Sequence, residues 1–360
     1  MTRQAAMNMP RRIRTATASL AALTMGVVVA AQPSDARAQE GPGLDGEFSV
    51  QRFEPVPGPR NFMSVAGART DGEWAWTSAL MFDYQHNPFV VQSCVSETDC
   101  DDANAVQTED TAVVSDMLTW NLLASITPIP IIQVGLRVPV AFVSGAGMDF
   151  EGPTAGAASQ GSEISAAGLG DIALEGKVRI WGEPNDPIVF GAALDVAAPL
   201  GHATSEGNYI GNRTPISVGG RGIVDLKLDG FTASANLRGI YREDSSFGDT
   251  TIGPEFRWGV GAGYQFHEMF RGIAEGYGAT RFSDVKGTNS VEIDGGIQVL
   301  PLDGRLVITA AGGTGLVKGI GVPVARAIFG VAFHYEAAND QDGDGIPNDE
   351  DQCPNEAEDK

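Results

Sequence analysis

Residues 255–266 read EFRWGVGAGYQF. Phe256, Trp258, Val260, Ala262, Tyr264 and Phe266 fall on one parity, and Glu255, Arg257, Gly259, Gly261, Gly263 and Gln265 on the other. Successive side chains of a β-strand point to opposite faces, so a period of two marks a strand with one apolar and one polar face. A soluble sandwich also alternates. Here the apolar face is the larger and cleaner one, and charges stand deep inside the strand on the other. A wall between lipid and a polar lumen needs that arrangement.

Working outward, the same period recurs along the chain. At 131–142, Ile132, Val134, Leu136, Val138, Val140 and Phe142 oppose Gln133, Gly135 and Arg137; at 171–180, Ile172, Leu174, Val178 and Ile180 oppose Asp171, Glu175, Lys177 and Arg179. At 325–335, Ala327, Phe329, Val331, Phe333 and Tyr335 oppose Arg326, Gly330 and His334. About twelve such stretches fit between residues 71 and 336, near 72–88, 111–126, 131–143, 168–181, 187–200, 214–228, 231–243, 252–267, 270–283, 289–300, 305–316 and 323–336. Gaps after even-numbered stretches are short (Thr127–Pro130, Gly182–Asp186, Asp229–Gly230, His267–Met269, Pro301–Gly304), and those after odd-numbered ones are mostly longer and polar. Short turns at one end and long loops at the other are the outer-membrane pattern, and an even strand number puts both barrel ends on the short-turn side. Hydrocarbon tolerates no unpaired backbone, so the sheet must close. The expected fold is therefore all-β: a transmembrane antiparallel up-and-down barrel of about twelve strands in the outer membrane, surrounded by outer-membrane lipid, with N-terminus and tail in the periplasm. Its lumen charges are expected to be Arg137, Glu175, Lys177, Asp225, Arg238, Glu255, Arg257, Glu275, Asp294 and Arg326, paired as a charge ladder with basic neighbours such as Lys177, Arg257 and Arg281.

Before the barrel, residues 1–38 read as a signal peptide. Arg11, Arg12 and Arg14 precede a small apolar run at 16–31, and Ala36-Arg37-Ala38 supplies the cleavage pattern. Residues 39–70 form a Pro/Gly-rich lead containing FSVQRFEPVPGPRNF, placed in the periplasm and able to thread into the lumen. The balance of 46 acidic against 24 basic residues, a net charge of −22, excludes a nucleic-acid binder, which needs clustered Lys and Arg. Cys94 and Cys100 stand close together in an acidic loop, where export makes a local disulfide the expectation. No GxSxG, HExxH, P-loop or CxxC occurs, so no catalysis is expected.

The tail, 337–360, reads AANDQDGDGIPNDEDQCPNEAEDK. Asp340, Asp342, Asp344, Asn348 and Asp351 hold alternating loop positions around Gly345, and the backbone carbonyl of Ile346 completes the spacing of a Ca²⁺ loop with hard oxygen ligands. The pattern resembles one thrombospondin type 3 repeat. With the signal peptide, the lead and the barrel, the layout resembles the OmpA-family outer-membrane proteins of myxobacteria and related deltaproteobacteria. That resemblance implies a calcium-stiffened linker to a peptidoglycan-binding domain, but the sequence stops after one repeat. The function it implies is a structural, envelope-linking one, with cell-envelope components as partners through a missing C-terminal domain. Two alternatives stand beside it: a pore or transporter for small solutes, and a secreted calcium-dependent adhesin.

Overall fold

The computed structural model describes residues 48–94, 108–150, 158–160, 163–205, 208–212, 216–247, 250–283 and 287–336. The signal region 1–38, the Cys94–Cys100 pair and the proposed calcium ligands Asp340, Asp342, Asp344, Ile346, Asn348 and Asp351 lie wholly or partly outside them.

Twelve strands form the wall: β1 Ala75–Cys94, β2 Thr108–Ile129, β3 Ile132–Gly145, β4 Ile172–Trp181, β5 Ile188–Ala198, β6 Ser217–Leu228, β7 Phe231–Tyr241, β8 Glu255–His267, β9 Phe270–Thr280, β10 Ser290–Val299, β11 Leu306–Val317 and β12 Ala325–Tyr335. Each pairs antiparallel with its sequence neighbours. β1 and β12 then pair from Trp76↔Tyr335 to His86↔Ala325, which closes the barrel and leaves no free edge. No described helix is long and apolar enough to cross a membrane; the crossing is made by strands.

One extra strand, Ile164–Leu169, pairs with the upper half of β3 while β4 pairs with its lower half. Together they are one strand interrupted at Gly170–Asp171. The interruption faces Pro139: a Cβ on Gly170 would stand 2.8 Å from the Pro139 ring, and the Gly170 amide reaches the Pro139 carbonyl at 2.8 Å. Proline has no N–H for a ladder, so the pairing shifts there.

The two barrel ends differ as the gap lengths imply. Asp229–Gly230, both at positive φ, make a two-residue hairpin turn of the kind that matches strand twist. The long-loop end carries short additional strand pairs, Met148–Phe150 with Ala158–Gln160 and Ser245–Phe247 with Thr250–Ile252, and the helix Leu200–Ser205. The outward parity is apolar and uncovered by protein, with Leu194 at 68% and Ile180 at 65% exposure, as a lipid-facing surface requires. Trp76 packs on Phe333 and Tyr335 at the short-turn end, giving the interfacial aromatics expected there.

The lumen is occupied. Residues 48–74 run through it from one mouth to the other. Phe48 and Val50 sit in an apolar cluster at the long-loop end with Phe89, Val113, Met117, Tyr209, Ile210 and Ile320. At the short-turn end Gly72 donates to Glu336, and β1 begins. Trp76 and Tyr335 do lie side by side, as an even strand number requires. The described chain nevertheless begins at the opposite mouth, because the lead crosses the barrel before the first strand starts.

Candidate functional site: the lumen and the segment inside it

The lead cannot become a wall strand. Pro55, Pro57 and Pro59 remove amides that a ladder would need. It folds on itself instead. The Asn61 side chain donates to the carbonyls of Pro57 at 2.7 Å and Gly58 at 3.1 Å, and accepts from the Gly67 amide at 2.8 Å. The Val56 amide reaches the Met63 carbonyl at 3.0 Å. Gly67 must be glycine: a Cβ there would meet the Arg60 carbonyl oxygen at 2.0 Å.

Buried polar groups need partners, and the lead supplies them to the inward-facing wall. Glu275 on β9 accepts from the backbone amides of Met63, Ser64 and Val65 and from the Ser64 hydroxyl at 2.7 Å. Lys177 donates to the carbonyls of Gly67 and Arg69, both at 3.1 Å. Asp225 pairs with Arg69 at 3.0 Å. Asn236 bonds both ways with the Ala66 backbone, and Gln133 donates to Pro57 at 2.9 Å.

Charges are sorted by side. β3 and β6–β8 present Arg137, Arg221, Arg238 and Arg257. Glu54 of the lead stands among them, 2.7 Å from Arg257, 2.8 Å from Arg238 and 3.2 Å from Arg137. Arg238 also pairs with Asp195, and Glu255 gathers Arg52, Arg242 and Arg257. Across the lumen, β1, β10 and β12 hold Asp83, Glu292 and Asp294 around Arg326, which is wholly buried and lies 2.7 Å from both Asp83 and Glu292. The Arg326 guanidinium also lies over the Phe53 ring, 5.0 Å from its centre.

All ten charges anticipated from strand parity, Arg137, Glu175, Lys177, Asp225, Arg238, Glu255, Arg257, Glu275, Asp294 and Arg326, sit on inward-facing positions. Their partners are not a simple wall ladder. Lys177, Asp225 and Glu275 are satisfied by the lead, and Arg281 pairs with Asp244 in the loops. Asp83, Asp195, Arg221 and Glu292 share the inward parity and were legible by the same signal. Arg52, Glu54 and Arg69 were not, because the lead has no periodicity to read.

At the short-turn mouth Asp71, His334 and Glu336 converge, and Arg60 bridges Asp71 at 2.6 Å and Glu336 at 3.3 Å. The His334 imidazole is the largest influence on Glu336. It holds that carboxyl at about 2, with help from the Gly72 amide and Arg60 and against the upward push of burial.

Fold and lumen together define a transmembrane β-barrel whose interior is filled by its own N-terminal segment. A family model described as "Putative MetA-pathway of phenol degradation" matches residues 131–316, more than half of the sequence, and the chain belongs to that family. Solved structures of similar architecture include an outer-membrane channel from Pseudomonas putida F1 (11% identity, 74% of this chain and 98% of that one, TM-score 0.48). Others are the NanC porin (10%, 71% and 98%, 0.44) and the CymD monoaromatic hydrocarbon channel (10%, 79% and 98%, 0.43). No curated protein sequence matches the chain. The family match corrects the resemblance to OmpA-family proteins with thrombospondin repeats. It also removes the basis for the envelope-linking function and for adhesion. The reason is physical: a short acidic tail carries the resemblance, while the barrel, which carries the family, has a pattern shared by many barrels.

Proposed function

We propose that this protein is an outer-membrane channel for small aromatic or apolar solutes, with the long loops outside and residues 48–74 as a gate in the lumen. The observation that carries this reading is the filling of the lumen by one proline-rich segment that belongs to no wall strand. The wall is a closed, lipid-facing tube without it, and inward-facing Glu275, Lys177, Asp225, Asn236 and Gln133 all bond to the segment. The solute class is supported by the family description and by the mouth, where Phe48, Phe89 and Tyr209 pack edge to face in an apolar cluster.

Residence in the outer membrane is checked by fractionation and heat-modifiable migration; a freely soluble mature protein would defeat it. Function is checked by uptake of labelled toluene and phenol into intact cells with and without the protein. Faster entry with the protein is expected, and an unchanged rate with the barrel folded in the membrane would overturn the reading.

A further inference from the structure

We infer that the cluster of Arg137, Arg221, Arg238 and Arg257 is a binding site for small organic carboxylates, which Glu54 fills in the closed barrel. This deepens the channel reading and rests on it: it assigns the lumen to solutes that carry an anionic group on an apolar body.

Three observations carry it. First, the arginines stand in a row. Arg221 is the direct cross-strand partner of Arg238, and Arg238 of Arg257. Like charges placed directly opposite each other destabilise a sheet, so sheet stability does not account for the row.

Second, the row is short of counter-charge. Around the row, five guanidiniums (Arg137, Arg221, Arg238, Arg242, Arg257) share three wall carboxylates (Glu175, Asp195, Glu255), while Asp225 is taken by Arg69 of the lead and Arg179 by Glu183. Asp171 nearby is committed to the amides of Gly201 and Asn212. Arg221 is the least satisfied. Its side chain is 7% exposed, its carboxylate neighbour Glu175 stands at 3.7 Å, and its Nη1 makes no hydrogen bond. An uncompensated buried guanidinium is costly, and a planar guanidinium is suited to a carboxylate.

Third, the missing charge arrives on a side chain of the lead. Both oxygens of Glu54 are engaged, Oε1 by Arg257 and Oε2 by Arg238 and Arg137, as those of a bound carboxylate would be. Cavities of about 60 and 50 Å³ flank Glu54. They hold water-sized guests, so a larger acid enters only as the Glu54 side chain leaves. Pro55 and Pro57 offer the wall no N–H, so on the arginine side it is the Glu54 side chain, with the Gln133 contact to the Pro57 carbonyl, that ties this stretch down.

Benzoate, with toluene as its neutral counterpart, is the probe. In the detergent-solubilised full chain, calorimetry should show benzoate binding at least about tenfold tighter in Glu54→Ala than in wild type. Binding should be lost again in Glu54→Ala/Arg238→Gln, and toluene should gain nothing. Should Glu54→Ala fail to show heat-modifiable migration, the isosteric Glu54→Gln takes its place. In intact cells Arg221→Gln should slow benzoate entry severalfold more than it slows toluene entry, and an equal effect on both solutes overturns the site. Equal benzoate affinity in the Glu54 variant and wild type, or equal gains for toluene, overturns the carboxylate site. If neither solute enters faster with wild type than without it, the channel reading itself has failed.

Discussion

On the side of the lumen built by β3 and β6–β8, guanidiniums are in excess, and the lead answers with a carboxylate side chain, Glu54. On the side built by β1, β9, β10 and β12, carboxylates are in excess: Asp83, Glu275, Glu292 and Asp294 against Arg326 and Arg271, the latter over the Phe62 ring of the lead. There the lead answers Glu275 with backbone amides and Asp83 with the Gln51 side-chain amide, and leaves Glu292 and Asp294 to Arg326, whose guanidinium lies over the Phe53 ring. One segment thus meets opposite fields by different means. A side-chain carboxylate can be copied by a solute. Three successive amides held by the knot around Asn61 cannot. The arginine side is therefore where a ligand can compete with the lead, and the acidic side is where the lead is fixed.

Four variants break or sharpen this contrast. Arg326→Met should have the largest effect. It removes the guanidinium that faces three buried carboxylates, a loss on the order of 3–5 kcal/mol of barrel stability, read from urea unfolding in lipid vesicles. Retention of wild-type stability would show that water reaches those acids. Glu275→Ala should come next, at about 2–3 kcal/mol, because the amides of 63–65 lose a charged acceptor. It should also raise open-channel noise in planar bilayers by loosening the fixed end of the lead; a quiet trace with full stability would place the anchor elsewhere.

Glu54→Gln should cost less, about 1–2 kcal/mol, since Asp195 and Glu255 still compensate Arg238 and Arg257. Its distinguishing mark is a shift of current toward anions, measured as reversal potential in a salt gradient. No shift would mean that the arginine row is not open to the permeation path.

The smallest effect concerns the latch at the short-turn mouth. Glu336 has its carboxyl lowered from the ordinary value of 4.5 to about 2, so its contribution is complete above about 4.5 and fades as pH falls toward and through about 2. Protection of the Gly72 amide, which donates to Glu336 at 2.6 Å, should fall across that window and become flat in Glu336→Gln. An unchanged pH response in the variant would assign the latch to Asp71 and Arg60 instead.

The strands were readable because their determinant is local. In 255–266 each residue's face follows from its parity, and the register of β7, β8 and β9 keeps Arg238, Arg257 and Glu275 inward. The break at Gly170–Asp171 was not readable, since it depends on Pro139 in the neighbouring strand. Partner identity was harder still. Glu275 looked like one rung of a charge ladder, and its true partners, the amides of 63–65, lie about two hundred positions away in sequence.

By itself, then, the sequence determined a closed membrane barrel of about twelve strands, because period-two alternation is intrinsic to the strand and hydrocarbon forbids an open edge. Its acidic tail also suggested a family that the match over 131–316 replaced. Only the tertiary structure decided that residues 48–74 traverse the lumen and start at the opposite mouth from Tyr335. It alone sorted the interior charges into an arginine side and an acidic side. A segment without periodicity has no face of its own, and its place is set by whichever buried charges it neutralises once the wall has closed.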